Sequence, residues 1–175
     1  MGFGKAFLFS MLAFIGLNFV FTIIYYALIP MGFDSLFTTI QTSPIIIIYY
    51  LFGSIISTPS AILNWTIAQP FIFGISDNLI LGLGYLVTLI IAAILAGRFG
   101  GNKGQCFGGW FLTVIISTAV VIIGAFLDPT FQSTLLTIYG WPSFNAILIY
   151  VIISCIINIV FYGFFALLLS KTEYY

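Results

Sequence analysis

Apolar runs long enough to cross a lipid bilayer recur along this chain, and none of them contains an Asp, Glu, Lys or Arg residue. Only 5% of the 175 residues are charged, whereas 62% are hydrophobic. A soluble domain carries about 25% charged residues, so this chain cannot build a water-facing surface around a core. The composition predicts an all-α integral membrane protein, because a helix satisfies its backbone hydrogen bonds internally when lipid is the solvent.

Four of the runs are long enough to predict complete membrane spans of about 20 residues each. They cover residues 6–29, 78–97, 105–127 and 146–170. Together with one further apolar region, these spans use nearly the whole chain. We therefore predict a single transmembrane domain over residues 1–175, folded as a polytopic helical bundle.

The remaining apolar region, residues 36–76, is ambiguous. Its first stretch, residues 45–56, is short for a span, and its second, residues 60–76, is interrupted by polar side chains and by Pro70. Proline lacks a backbone donor and disturbs a helix. The region fits two full spans, one span, or a re-entrant hairpin. In each case its irregular backbone must be covered by protein or line a cavity.

Charge sidedness selects among these topologies, since short cytoplasmic loops favour Lys and Arg. If the ambiguous region crosses the bilayer an even number of times, all basic residues face the cytoplasm and the loop aspartates face outward. We therefore exclude five spans and predict six, with four spans plus a re-entrant hairpin as the alternative. Both termini are then cytoplasmic, in a multi-pass protein of the cell membrane. The residues concerned are Lys5, Arg98, Lys103 and Lys171 on one side and Asp34, Asp77 and Asp128 on the other.

Catalytic chemistry has little support in the sequence. The chain has no histidine, which removes the most common general base and metal ligand. Its acidic residues are isolated rather than paired, and its two cysteines, Cys106 and Cys155, are far apart. We predict no enzyme activity, no metal and no cofactor. The zero net charge gives no reason to expect a nucleic-acid partner.

The polar side chains within the apolar runs include amides but no charged groups. One interpretation is hydrogen bonding between helices. The other is a site for a neutral solute where amides and Pro70 interrupt a helix, since transporters place their sites at broken helices near the bilayer midplane. Tyr49 and Tyr50 also lie deep in a run, where a hydroxyl needs a protein partner. The amides are Asn18, Asn64, Gln69 and Asn158.

A glycine-rich segment, residues 97–110, links two of the spans. Arg98 and Lys103 flank its turn, and we predict that they contact lipid headgroups or a partner subunit. Small residues at four-residue spacing precede and follow the turn, a pattern that lets helix backbones approach closely. We expect them to pack these two helices together or against a neighbouring chain. The pairs are Ala92 with Ala96, Ala93 with Gly97, and Gly104 with Gly108.

Two functional hypotheses follow from these observations. The first is a non-catalytic integral subunit that packs within a larger membrane complex and stabilises it, with membrane lipids and other integral subunits as partners. It rests on the near absence of extramembrane mass and on the many small and amide side chains suited to helix contacts. The second is a small transporter or channel component that binds a neutral or apolar solute at the interrupted helix, residues 60–76.

Overall fold

The computed structural model describes residues 2–76 and 78–170, and every regular element within them is helical. Asp77 and Lys171, which the topology argument uses, lie outside the described residues. Short 3₁₀ turns, Pro44–Ile46 and Gly53–Ile56, flank the third helix, and a π-helical stretch, Asn64–Ile72, continues the fourth. The α-helices are, in chain order, α1 (Gly2–Leu28), α2 (Gly32–Thr42), α3 (Ile47–Phe52), α4 (Pro59–Leu63), α5 (Leu79–Phe99), α6 (Lys103–Leu127), α7 (Pro129–Tyr139) and α8 (Phe144–Leu168).

Within the described residues, four helices are long and apolar enough to cross a membrane: α1, α5, α6 and α8. They coincide with the four apolar runs predicted from the sequence, which confirms four long helices there and is consistent with a membrane protein. Polar caps set two of their starting points. Asn102 accepts a hydrogen bond from the Gln105 amide at 2.9 Å, and Ser143 accepts one from the Ala146 amide at 3.3 Å.

The count of six spans is not confirmed. Residues 36–76 contain no helix of span length; instead, the segments Pro44–Ile56 and Pro59–Ile72 meet at a bend of 96°. This pair, called here the bent segment (residues 44–72), adds at most one span to the four long helices of the described chain. The bend is the feature that a re-entrant hairpin would require.

Local chemistry explains where the bent segment breaks. The ring of Pro59 disfavours the helical conformation in the residue before it, and Thr58 is extended, with φ −75° and ψ 156°. The Thr58 hydroxyl then accepts a hydrogen bond from the Ala61 amide at 3.3 Å, and so caps the start of α4. The first half therefore ends near Ser57, and a new helix starts two residues later.

The two ends of the bundle carry opposite charges. Gly2 lies against Gly101, and Gly97 lies against Ala166, so the start of α1, the α5–α6 turn and the end of α8 share one end. Lys5, Arg98 and Lys103 belong to that end. Asp34 in α2 and Asp128 before α7 lie at the other end, where Ser43 hydrogen-bonds to Asp128.

The break of the bent segment is in the middle of the core. Its residues Ser54, Ile55, Ile56 and Ser57 are completely buried. They pack against α5, α6 and α8, while α1 lies along α5 and α6. The bend is therefore enclosed by the long helices rather than exposed as a surface loop.

Candidate functional site

Asn158 in α8 holds the break of the bent segment in place. Its side-chain amide donates to the carbonyl oxygens of Ile55 at 2.9 Å and Ser57 at 3.2 Å. The Asn158 backbone oxygen accepts a hydrogen bond from the Trp110 indole at 3.2 Å, so α6 joins the same network. All of these groups are buried. A helix end leaves carbonyls without intrahelical donors, and the Asn158 side chain supplies donors to two of them.

A second polar contact reaches the break from α7. The hydroxyls of Ser57 and Tyr139 lie 3.2 Å apart and form a hydrogen bond. The Tyr139 ring stacks on Trp141 with centroids 4.5 Å apart and an interplanar angle of 8°. The break is thus linked to α7 and α8 by polar groups.

A cavity of about 240 Å³ lies between α1, the bent segment, α5 and α7. None of the described residues that line it is charged. Thr22 and Asn78 supply polar groups to its wall, and Leu81 and Ile138 are apolar. The cavity, called here the tyrosine pocket, takes its name from the aromatic residues lining it: Tyr25, Tyr26, Tyr49, Tyr50 and Tyr85.

The tyrosine rings meet nearly at right angles. Tyr25 and Tyr26 have an interplanar angle of 83°, and Tyr26 and Tyr50 one of 81°. The Tyr26 and Tyr50 hydroxyls hydrogen-bond at 3.1 Å. The Tyr49 side chain is 6% exposed, and its hydroxyl lies near those of Tyr85 and Tyr139. This wall therefore contains a group of neighbouring tyrosine hydroxyls.

The four predicted intramembrane amides make separate contacts and do not share one site. Asn64 is exposed on the outer side of the interrupted helix, whereas Gln69 accepts a hydrogen bond from the Asn78 side chain at 3.3 Å. Asn18 is buried, but its side-chain amide donates to the carbonyl of Phe14 in its own helix at 3.0 Å. Of the four predicted amides, Asn158 makes the contact between distant segments.

Two of the predicted small residues lie against helices outside the α5–α6 pair. Gly97 in α5 lies against the Ala166 backbone in α8, and Gly108 in α6 faces the Phe3 ring in α1. Gly104 is exposed, and a Cβ there would meet only its neighbour Asn102 among the described residues. Gly109 makes the close approach of α6 to α1 instead. The remaining members of the pattern, Ala92, Ala93 and Ala96, are completely buried.

Arg98 and Lys103 are exposed at the basic end of the bundle. At the other end, Asp128 connects two parts of the chain. One carboxylate oxygen accepts a hydrogen bond from the Ser43 hydroxyl, and the other caps α7 by accepting one from the Thr130 amide at 2.8 Å. The Ser43 hydrogen bond, followed by contacts to the first turn of α7, lowers the pKa of Asp128 from its ordinary value.

The tyrosine pocket is a feature that the sequence does not reveal as a unit. The sequence predicts protein contacts for Tyr49 and Tyr50, and it shows Tyr25-Tyr26 and Tyr49-Tyr50 as doublets. Nothing in their spacing indicates that both doublets line one cavity with Tyr85. Comparison with known proteins finds no matching family model, no similar curated protein and no similar solved structure.

Proposed function

We propose that this chain is a non-catalytic integral subunit of a larger complex in the cell membrane, and that its interrupted helix, Pro59–Ile72, contacts another subunit. The observation that carries the proposal is the exposure of Asn64 on the outer side of this helix. The inner side is already occupied by the chain's own residues. The outer side remains for a partner.

The two sides of the interrupted helix differ sharply. On the inner side, Ile62 is completely buried and the Thr66 side chain lies against Gly82 of α5. On the outer side, Ile67 is 53% exposed and Phe71 is 79% exposed. Asn64 shares that outer side, close to the break in the core.

Lipid is a poor neighbour for this surface. Hydrocarbon offers no hydrogen bond to an asparagine amide, and burying such a group without a partner costs several kcal/mol on water-to-hydrocarbon scales, on the order of 4–8. Pro70 also has no backbone N–H to give to the preceding turn of the π-helical stretch. Irregular backbone at membrane depth is tolerated where protein covers it. A polar group on a neighbouring membrane helix would satisfy Asn64.

The same proposal includes a topology of four spans with the bent segment as a re-entrant hairpin. Asn158 meets the break about 21 Å from the start of α8 and about 15 Å from its end, at 1.5 Å per residue. The first half of the hairpin then starts at the end of the bundle that carries Asp34 and Asp128, and the second half returns to that same end. With Lys5, Arg98 and Lys103 in the cytoplasm, both termini are cytoplasmic and the hairpin enters from outside.

Photo-crosslinking in native membranes tests the contact. A benzoylphenylalanine is placed at Asn64 and, as the matched control, at Val160, which is 67% exposed on α8. We expect a protein adduct of defined mass from position 64 and lipid adducts from position 160. Only lipid adducts from both positions would contradict the proposal. An adduct of twice the chain's mass would show that the partner is a second copy of this chain and not a different subunit.

The alternative function, binding of a neutral solute at residues 60–76, would require Asn64 and Gln69 to face one ligand. Asn64 faces outward, whereas Gln69 is engaged with Asn78.

A further inference from the structure

We propose that the tyrosine pocket binds a methylated ammonium group at the acidic end of the bundle. This inference does not depend on the subunit proposal, because the ligand would lie inside the tyrosine pocket and not on the outer side of the interrupted helix. It rests on the arrangement of the aromatic rings, on the distribution of charge and on the chemistry that the pocket lacks.

Tyrosine rings that border the pocket are set at steep angles to one another. Tyr25, Tyr26 and Tyr50 form successive walls that turn by 83° and 81°, and Tyr49 continues from Tyr50 at 64°. Centroids of neighbouring rings are 5.3–6.1 Å apart. A cation within about 6 Å of several such rings is attracted by each ring quadrupole. Perpendicular walls let one small cation contact more than one ring.

The charge distribution favours a cation over an anion. The basic residues that the structure describes, Lys5, Arg98 and Lys103, belong to the opposite end of the bundle. A neighbouring depression is bordered by both Tyr26 and Asp34, which places a carboxylate beside the pocket wall. Asp34 would raise the local concentration of cations near the pocket.

The groups that the described lining offers favour one kind of cation. Calcium and magnesium require several oxygen ligands, commonly including carboxylates, and the lining offers neutral hydroxyls and the Asn78 amide. A primary ammonium is strongly hydrated, so it would lose much hydration free energy on entry. Methyl groups on nitrogen spread the charge and weaken hydration, which leaves ring contacts as the main attraction.

The volume of the pocket suits a small ligand group such as a methylated ammonium. Its volume of about 240 Å³ lies below the range of about 300–1,000 Å³ for drug-sized ligands. The polar groups of its lining are the tyrosine hydroxyls, Thr22 and Asn78. Groups of this kind can hydrogen-bond to a hydroxyl carried by the ligand.

Choline and its uncharged isostere 3,3-dimethyl-1-butanol provide the first test. Binding of each is measured by calorimetry to the full chain in phosphatidylglycerol nanodiscs. We expect choline to bind about tenfold more tightly than the isostere, which has the same shape but no charge. Equal binding of the two would make this a neutral site and overturn the proposal. Failure of both to bind would overturn it as well.

Variants at Tyr26 locate the site. Tyr26→Phe keeps the ring, whereas Tyr26→Leu removes one wall. We expect the Phe variant to bind choline within about twofold of the unmodified chain and the Leu variant to lose about tenfold. Tyr150→Leu is the matched control, because Tyr150 belongs to the aromatic cluster of Trp141 and does not line the pocket. If Tyr150→Leu and Tyr26→Leu weaken binding equally, the pocket is not the site.

The methylated ammonium group can come from a free solute or from a lipid headgroup, and a change of lipid separates these sources. If the headgroup is the source, phosphatidylcholine nanodiscs will lower the apparent affinity for free choline by competition. If the source is a free solute, the affinity will be the same in both lipids. Either result supports the proposal and names the source.

Discussion

The side chain of Asn158 donates a hydrogen bond to the backbone oxygen of Ser57 at 3.2 Å, although the two residues are 101 positions apart in the chain. The same amide also binds the carbonyl of Ile55 at 2.9 Å. This contact joins the break of the bent segment to the middle of α8. It explains how a helix end can lie in the apolar interior of a membrane domain.

Replacing Asn158 by Leu should destabilise the protein, because two buried carbonyls lose their donor. The expected loss is about 1–2 kcal/mol in the free energy of unfolding. The measurement is denaturant unfolding in detergent. Asn18→Leu is the control, since Asn18 bonds within its own helix and should change stability by less. Equal losses of unfolding free energy in the two variants would contradict the conclusion that Asn158 stabilises the break of the bent segment.

Replacing Gly97 by Ala should force α5 and α8 apart. The added Cβ would overlap the carbonyl oxygen of Ala166, and overpacking of this kind costs about 1–3 kcal/mol. Gly16→Ala is the matched control, because a Cβ at Gly16 meets no other described residue within 4 Å. The thermal midpoint should fall for Gly97→Ala and stay or rise for Gly16→Ala. A Gly97→Ala variant as stable as Gly16→Ala would contradict the close approach.

Stability should decrease in acid through Asp128. The hydrogen bond from Ser43 lowers the pKa of Asp128. A carboxylate with a lower pKa in the folded state stabilises the fold above its unfolded pKa of about 3.9, and this stabilisation is lost as the pH falls through the folded-state value. The thermal midpoint measured from pH 6 to pH 2.5 should decline below about pH 4.

Two variants test whether the loss of stability in acid comes from the Ser43–Asp128 hydrogen bond. Asp128→Asn should flatten the decline, since no carboxylate remains to be protonated. Ser43→Ala should reduce it, because this variant loses the Ser43 hydrogen bond, which is the main cause of the lowered Asp128 pKa. A decline of unchanged size in Asp128→Asn would place the acid-sensitive group elsewhere.

Cysteine labelling in intact cells should separate the two ends of the bundle. Ser133→Cys in α7 lies at the acidic end and should react with an impermeant maleimide from outside. Gly104→Cys lies in the basic turn and should react only after the membrane is opened. The native thiols, Cys106 and Cys155, are buried and give a low background. Labelling of both positions from outside would contradict the four-span topology.

Features that depend on neighbouring residues were predicted, and features that depend on distant contacts were not. The long helices were predicted almost to their ends because each is specified by its own run of apolar residues. The predicted count of six spans is not confirmed, because residues 36–76 contain no such run. In the structure this region comprises part of α2 and the bent segment. Among the four amides, no local signal distinguished Asn158, with its long-range contacts, from Asn18, which bonds to its own helix.

The amino-acid sequence alone determined the helical class, the four long helices and the placement of charge at their ends, since these depend on short-range composition and on the need to satisfy backbone groups within each segment. Tertiary structure alone decided that the break of the bent segment lies against Asn158, that Gly97 meets Ala166, and that tyrosines from α1, α3 and α5 form one pocket. The reason is that these contacts join residues far apart in the chain. Their energies depend on how the helices pack, and the sequence carries no periodic signal of that packing.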